Sequence, residues 1–348
     1  MTGFDNEMMK RCIQLANNGL GSTYPNPMVG SVITCKGKII GEGWHKKAGE
    51  PHAEVNAINS VKNKELLTKS SIYVSLEPCS HFGKTPPCSD LIIKHKIPKV
   101  IIGTTDPFAK VCGNGIKKLK DAGCEVIVGI LEKECQELNK RFFTFHQKKR
   151  PYIFLKWAET RDGFIAPETK NEIAPKWITN SYSKQFVHKM RSQEQAILVG
   201  TNTVLHDNPK LNTRDWFGQN PLRMIIDRNL KTPRNFSVWD DTQPTLFLSE
   251  KTENQLFTNT CFEKTDFSEN LPQQICDILY KKNIQSLIVE GGSTVLQQFI
   301  NENLWDEAFI FKGNTSFGIG RQAPDFQQKT LITIYEFEND KLFIYKNL

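Results

Sequence analysis

The feature that most narrows what this chain can fold into is an alternation: short β-branched apolar runs separated by segments with helical spacing. "SIYVSLEP", "KVIIGTTD" and "CEVIVGI" each read as a buried strand, and "CSDLIIKHK" and "NGIKKLKDAG" between them read as helices. Strands joined through helices favour parallel pairing, so the chain is expected to be α/β, with most sheet neighbours parallel. Upstream, "NEMMKRCIQLANNG" has the spacing of an amphipathic helix stopped at Gly19. "VGSVITCKGKIIGEGWH" reads as two short strands around a Lys-Gly turn, and a helix follows from about Ala53.

"LEKECQELNKRFFTFHQKKRP" predicts one long amphipathic helix ending in a basic turn before Pro151. The alternation then restarts in "YIFLKWAET", "AILVGTNTV", "LRMIID", "TLFLS" and "SLIVEGG". The restart predicts two domains, 1–148 and 149–348, as suits a chain of 348 residues. "TLFLS" apart, residues 240–275 are polar and irregular and predict little.

Composition limits the classes of function. Hydrophobic content of 39% and charged content of 24% describe a soluble globular protein. No apolar run suits a secretory signal or a membrane span of ~18 residues, so a cytoplasmic location is expected. Nine scattered cysteines, an odd number, argue for free thiols and a metal site over a disulfide framework. The net charge of +7 suits phosphorylated small substrates. The basic residues are dispersed and form no stripe interleaved with aromatics, so neither a nucleic acid nor a membrane is expected as a partner.

Two stretches carry chemistry. "PHAEVNAINS" sets His52 and Glu54 two residues apart, a common match by itself, but "EPCSHFGKTPPC" downstream adds Cys79 and Cys88. One His and two Cys fill three positions around a tetrahedral zinc and leave the fourth for water, whose pKa the metal lowers to about 7. Glu54 would then take a proton from the resulting hydroxide's parent water and deliver it to a departing amine. Residues i and i+2 of a regular helix face different ways, so His52 is expected at the helix entrance. The order agrees with the H-x-E…P-C-x-x-C pattern of zinc nucleobase deaminases, except that eight residues rather than two separate the cysteines. In the second half, "SLIVEGGSTVLQQFI" is a strand, two glycines and a helix start, where backbone N–H groups can meet an anion. It is not G-x-G-x-x-G, and alone it also reads as a structural strand–turn–helix junction.

Longer stretches resemble one family. "YPNPMVGSVI", "GEGWHKKAGEPHAE" and "LEPCSHFGKTPPC" are similar to the deaminase domain of the bifunctional riboflavin-biosynthesis deaminase–reductases. "LKWAETRDGFIA", "KWITN", "MRSQEQAILVGTNTVLHDNPKLNTR" and "VEGGST" follow in the order of its reductase domain. The resemblance implies a cytidine-deaminase-like α/β/α domain followed by a dihydrofolate-reductase-like α/β domain. It implies zinc deamination of 2,5-diamino-6-(5-phosphoribosylamino)pyrimidin-4(3H)-one, then NADPH-dependent reduction of the ribosyl group to ribityl, in a homo-oligomer joined through the reductase domain.

Residue by residue, the resemblance makes His52, Cys79 and Cys88 the zinc ligands and Glu54 the proton shuttle. It turns Asn26, His45, His81 and Lys84 toward the pyrimidine or its ribose phosphate. Glu159, Trp177, Thr203 and Asp207 would line the NADPH site with the run Gly292, Ser293, Thr294, Val295, Leu296, Gln297 and Gln298. Arg191, Leu211, Arg214 and Glu290 would hold the substrate, the arginines suiting a phosphate through their bidentate fork. Lys156 and Asp207 are candidates for polar work around the ribose, Asp207 as the proton donor when the ring opens. The chain departs from the family pattern in "DPFAKVCGNG", which lacks a second Asn-Pro pair, at Pro175, often serine, and at Glu159, usually a small residue. Two rival readings are a tRNA-base deaminase, which needs a basic, aromatic surface, and a structural zinc protein with His81 or Cys112 as fourth ligand.

Overall fold

The computed structural model describes residues 3–80, 86–108, 113–169, 172–252, 257–327 and 330–347. It divides into two compact units, Met1–Lys149 and Arg150–Leu348.

The first unit runs α1 (Gly3–Asn17), β1 (Gly30–Cys35), β2 (Lys38–Trp44), α2 (Ala53–Ser60), β3 (Ser71–Leu76), α3 (Cys88–Lys94), β4 (Lys99–Thr104), α4 (Asn114–Asp121), β5 (Glu125–Val128), α5 (Glu132–Leu138) and α6 (Lys140–Lys148). Its sheet has the order β2-β1-β3-β4-β5. Successive residues of a strand face opposite ways. Val32, Tyr73 and Ile101 accordingly meet Met9 of α1 and Cys135 of α5, while Ile33, Val74 and Ile102 meet Ile58 of α2 and Ile92 of α3. The result is a three-layer α/β/α sandwich. Gly43 of β2 lets α2 press on the sheet, because a Cβ there would lie 2.4 Å from the Ala57 nitrogen. That close approach seats the middle of α2 against the end of β2.

The second unit continues with β6 (Tyr152–Glu159), β7 (Phe164–Pro167), α7 (Ser181–Gln193), β8 (Ala196–Gly200), α8 (Thr201–Asp207), β9 (Leu222–Ile226), β10 (Thr245–Ser249), β11 (Thr260–Lys264), α9 (Leu271–Lys281), β12 (Ser286–Val289), α10 (Ser293–Asn301), β13 (Glu307–Lys312), β14 (Gly320–Gln322), β15 (Thr330–Phe337) and β16 (Asp340–Lys346). Nine strands form one sheet, β11-β10-β9-β8-β12-β6-β13-β16-β15, and β14 pairs with β7 in a small ribbon. From β11 to β13 every pair is parallel, and β16 and β15 close the far side antiparallel. Leu155, Leu198 and Val289 bury one face against α9 and α10, and Phe154, Ile197 and Ile288 bury the other against α7.

Parallel pairs predominate, as the alternation predicts, but β1 pairs antiparallel with both β2 and β3 because β1 and β2 form a hairpin. The expected single helix before Pro151 is two, α5 and α6, broken at Asn139. Asn139 leaves helical geometry because its side chain is engaged elsewhere: Oδ1 accepts from the Met28 N–H and Nδ2 donates to the Met28 carbonyl, both at 2.8 Å. "TNTV", read as part of a strand, opens α8 instead, where Thr201 Oγ1 donates to the Ile226 carbonyl. Within the irregular stretch lies β11, a short edge strand whose pairing with β10 no local pattern announces.

Candidate active sites

His52 is the residue that caps α2. Its backbone is extended (φ −71°, ψ 169°) and its ring makes no capping bond, so the side chain swings away from the helix. Cys79 follows the end of β3 and Cys88 opens α3. The His52 Nδ1 lies 3.7 Å from Cys79 Sγ and 3.4 Å from Cys88 Sγ. Zinc bonds of about 2.3 Å to sulfur and 2.05 Å to nitrogen at tetrahedral angles put such donors ~3.6 Å apart, so these three side chains fit one zinc ion. The Cys88 N–H donates to Cys79 Sγ at 3.3 Å, a bond that favours thiolate. Among the described residues, only this trio of His, Cys, Asp and Glu side chains converges within metal-binding distance.

Glu54 is one step inside α2 and buried, 3% exposed, but outside that donor set. Burial pushes its carboxyl up to about 7, and the negative charge of Cys79 adds to the push. A carboxyl poised there can both accept and release a proton near neutrality. His45 and Asn26 stand beside the trio. The His45 and His52 rings meet edge to face at 5.2 Å. His45 Nδ1 lies 3.2 Å from the Pro51 carbonyl and therefore carries the proton, which leaves Nε2 to accept from Asn26 Nδ2 at 3.1 Å. Burial lowers the pKa of His45, which keeps it neutral.

Sequence reasoning overlooked Glu77, two residues before Cys79. It is buried and accepts from the N–H groups of Gly115 (2.9 Å), Gly113 (3.0 Å), Ile116 (3.3 Å) and Asp106 (3.4 Å). It thus ties the exit of β3, and with it Cys79, to the start of α4. The signal was a carboxylate at a strand end directly before Pro-Cys. His81, Lys84 and Cys112 lie outside the described residues.

In the second unit a cleft of about 1360 Å³ opens at the carboxyl ends of the parallel strands. That exceeds the roughly 300–1,000 Å³ of a single-ligand pocket, and the strand-end position is where open α/β sheets bind ligands. Lys156, Arg191, Leu211, Arg214 and Glu290 border it, as do Trp177, Thr203 and Asp207. Arg191 and Glu290 form an ion pair, Nη2 to Oε2 at 2.7 Å, with side chains only 12% and 9% exposed. Burial alone would raise the Glu290 carboxyl, but Arg191 and Lys156 outweigh it and hold the group at about 2. Arg191 Nε and Glu290 Oε1 are buried without a hydrogen-bond partner, a donor and an acceptor left for a ligand. Burial lowers the Lys156 amine, with Glu290 pulling it back. Leu211 is buried with φ +55°, a strained backbone that presents its peptide rather than its side chain.

Gly291 and Gly292 form the turn into α10. A Cβ on Gly291 would lie 2.9 Å from the Gly200 nitrogen, so the turn sits directly over the end of β8. Thr203 Oγ1 accepts from the Gly292 N–H at 2.9 Å and pins the turn. With the α10 N-terminus, this cradle fits the diphosphate of a dinucleotide. Thr294, Val295, Leu296 and Gln298 follow along the cleft. Three expected residues, Ser293, Gln297 and Glu159, are not among those bordering the cleft. Ser293 and Gln297 share a stripe on another side of α10, where Gln297 donates to Asn301 Oδ1 and accepts from the Asp325 N–H. Glu159 accepts from Trp157 Nε1 and pairs with Lys312, and its carbonyl accepts from the Gly313 N–H.

His188 was also not flagged by the sequence. It is buried on α7, with Nε2 3.2 Å from Asp215 Oδ2, and burial with the charges of Arg191 and Arg214 lowers it to about 4. The neutral ring donates to Asp215 and so anchors the loop that carries Arg214.

Comparisons with known proteins bear on the family of both domains. Residues 2–104 match the cytidine and deoxycytidylate deaminase zinc-binding region, and residues 151–341 match the RibD C-terminal domain. The riboflavin biosynthesis protein RibD of Aquifex aeolicus is 38% identical over 337 residues, covering 92% of this chain and 90% of that protein. The crystal structure of a Thermotoga maritima diaminohydroxyphosphoribosylaminopyrimidine deaminase/5-amino-6-(5-phosphoribosylamino)uracil reductase is 37% identical, with a TM-score of 0.90 and 99% of each chain covered. Acinetobacter baumannii RibD is 30% identical at a TM-score of 0.87, covering 99% of this chain and 98% of that one. With both domains matched in order and relatives alike over nine-tenths of its length, the chain belongs to the RibD family of riboflavin biosynthesis, a deaminase of the cytidine-deaminase type and a reductase in one polypeptide.

Proposed function

We propose that residues 1–148 hydrolyse the ring amino group of the diaminohydroxyphosphoribosylaminopyrimidine for which the Thermotoga relative is named, and that residues 149–348 reduce the ribosyl group of the product to ribityl. The observation that carries the first half is the His52, Cys79 and Cys88 donor set with buried Glu54 beside it. Zinc held by those three residues would supply a Lewis acid that activates water near neutral pH. Glu54 takes a proton from the attacking water and hands it to the amine, so a C–O bond forms, the C–N bond breaks and ammonia leaves. Asn26 and His45 orient the ring.

In the second half, NADPH held in this cleft would supply a hydride for C1′. As the C1′–O4′ bond opens, O4′ needs a proton, for which Asp207 at the end of α8 and the Lys156 amine are the candidates. The Gly292 turn and the face of α10 with Thr294, Val295 and Gln298 receive the cofactor, with Trp177 and Thr203. Arg191, Arg214, the Leu211 peptide and Glu290 receive the ribose phosphate. Metal analysis tests the deaminase half: wild type should carry about one zinc per chain, and Cys79→Ala should lose both zinc and ammonia release. NADPH oxidation on already deaminated substrate should persist in that variant. A Cys79→Ala protein with full metal and full deamination would sink the assignment.

The partner we infer is a second copy of this chain. β15 is a sheet edge, and it exposes Leu331, Ile332, Ile334 and Tyr335. An apolar edge strand of this kind is a template for pairing with another strand. Ile332→Lys combined with Ile334→Lys should convert a sedimenting dimer to monomer; a variant that sediments like wild type would place the interface elsewhere. No helix among the described residues is long and apolar enough to cross a membrane. The eight described cysteines are all free, which suits the reducing cytoplasm.

A further inference from the structure

The geometry points to His188 and Asp215 as a positioning pair that sets the preference of the second unit for a phosphorylated ribose. Neither residue meets the ligand; together they hold Arg214 where the phosphate arrives. This rests on the proposed role of Arg214 as a phosphate contact.

Arg214 belongs to an exposed loop, and its own side chain is 38% exposed. A guanidinium on a slack loop loses much of its binding free energy in being ordered, so the loop has to be fixed in advance. Before Arg214 the backbone is held twice. Arg191 Nη1 donates to the Asn212 carbonyl at 3.3 Å, and the Thr213 N–H and Oγ1 both donate to Asn220 Oδ1, at 2.9 and 2.8 Å. After Arg214 the hold falls to Asp215. Its Oδ2 lies 3.2 Å from His188 Nε2, 3.9 Å from Lys184 Nζ and 4.0 Å from Arg214 Nε. Only the first of these is a hydrogen-bond distance.

Lys184, His188 and Arg191 fall at i, i+4 and i+7 on α7 and so share one face. The stripe that sends Arg191 to the cleft therefore also sends His188 to the loop that brings Arg214. One helix sets both arginines, the first directly and the second through Asp215. His188 is 1% exposed, and neither it nor Asp215 is among the residues bordering the cleft.

The ring suits the task. Burial, with Arg191 and Arg214 nearby, keeps it neutral. Its Nδ1 is buried without a hydrogen-bond partner, so a proton there would have no acceptor and the proton belongs on Nε2, facing Asp215. A neutral donor ties the carboxylate down without adding a further cation beside the arginines. The sign of the effect separates anchoring from charge. A carboxylate next to Arg214 should, by charge alone, repel a phosphate, and its removal would then tighten binding. Removal of an anchor does the opposite.

Steady-state reduction by the full chain at saturating NADPH tests this with two substrates: 5-amino-6-(5-phosphoribosylamino)uracil and its counterpart lacking the phosphate. His188→Leu and Asp215→Ala should each raise KM for the phosphorylated compound about tenfold, as loss of one hydrogen bond to a charged group does, with kcat within about twofold of wild type. His188→Gln, whose amide N–H can reach the same carboxylate, should bring KM back to within about threefold. The double variant should also stay near tenfold, since both changes break one contact. For the unphosphorylated compound, kcat/KM should stay within about twofold throughout. A lower KM in Asp215→Ala, a double variant near a hundredfold, or an equal loss on the unphosphorylated compound would overturn the pairing. Asp215 is exposed, so its variant reports even where the buried His188→Leu change unfolds the unit. Arg214→Ala separates the two levels of the argument. If it raises KM while Asp215→Ala does not, the phosphate contact stands and the pair falls; if it leaves KM unchanged, both fall.

Discussion

Glu54→Gln is expected to lower deamination by about 10²–10⁴-fold, the usual contribution of a positioned proton carrier. It should do so without loss of metal. Glu54 is not among the converging donors, and the amide fills the same buried space with no carboxyl to ionise. Zinc content and melting temperature should therefore match wild type while ammonia release collapses. Offered the deaminated substrate, the variant should still oxidise NADPH; offered the diamino compound, it should not. Equal deamination by the variant and the wild type would show that some other group moves the proton.

The second large effect is expected from Glu290→Ala. The wild-type carboxylate lies against Arg191 and beside the Lys156 amine, and removing it leaves two cations in a largely buried site with no counter-charge. Breaking one side of a buried pair typically costs about 3–5 kcal/mol, and reduction should fall with it. The pH dependence has a definite sign. The folded-state carboxyl is held at about 2, below its ordinary 4.5, so its contribution is fully present above about 4.5 and is lost as pH falls toward 2. Acid unfolding of the Glu290→Gln variant should lack that component. A variant that reduces substrate normally and melts like wild type would remove Glu290 from the site.

The deaminase centre was legible because its chemistry is compressed into short motifs. His52 and Glu54 had to straddle a helix start to act together, and the extended backbone at His52 is what allows it. The reductase centre needed more of the chain, since Arg191, Leu211 and Glu290 come from a helix, a loop and a strand end that only the sheet order brings together. What the sequence hid depended on partners far along the chain. Asn139 breaks a helix to hold Met28, and β11 exists because β10 is beside it. Ser293 and Gln297 fit a contiguous motif, yet helical periodicity sets them on one stripe of α10, apart from Thr294, Val295 and Gln298.

The relay from the Pro51 carbonyl through His45 to Asn26 also fixes a polarity for recognition. With its nitrogen drawn to the imidazole, the Asn26 amide keeps its oxygen as an acceptor, so that a heterocycle held there as proposed would be met by a lone pair. An edge bearing N–H is welcomed there, and an edge bearing a bare nitrogen is repelled. Burial lowers the His45 pKa and so favours the neutral ring on which this amide orientation depends. On the proposed reading of Asn26, tautomeric form as well as shape becomes something this site would sort, and the sorting would be set by one main-chain oxygen adjacent to His52.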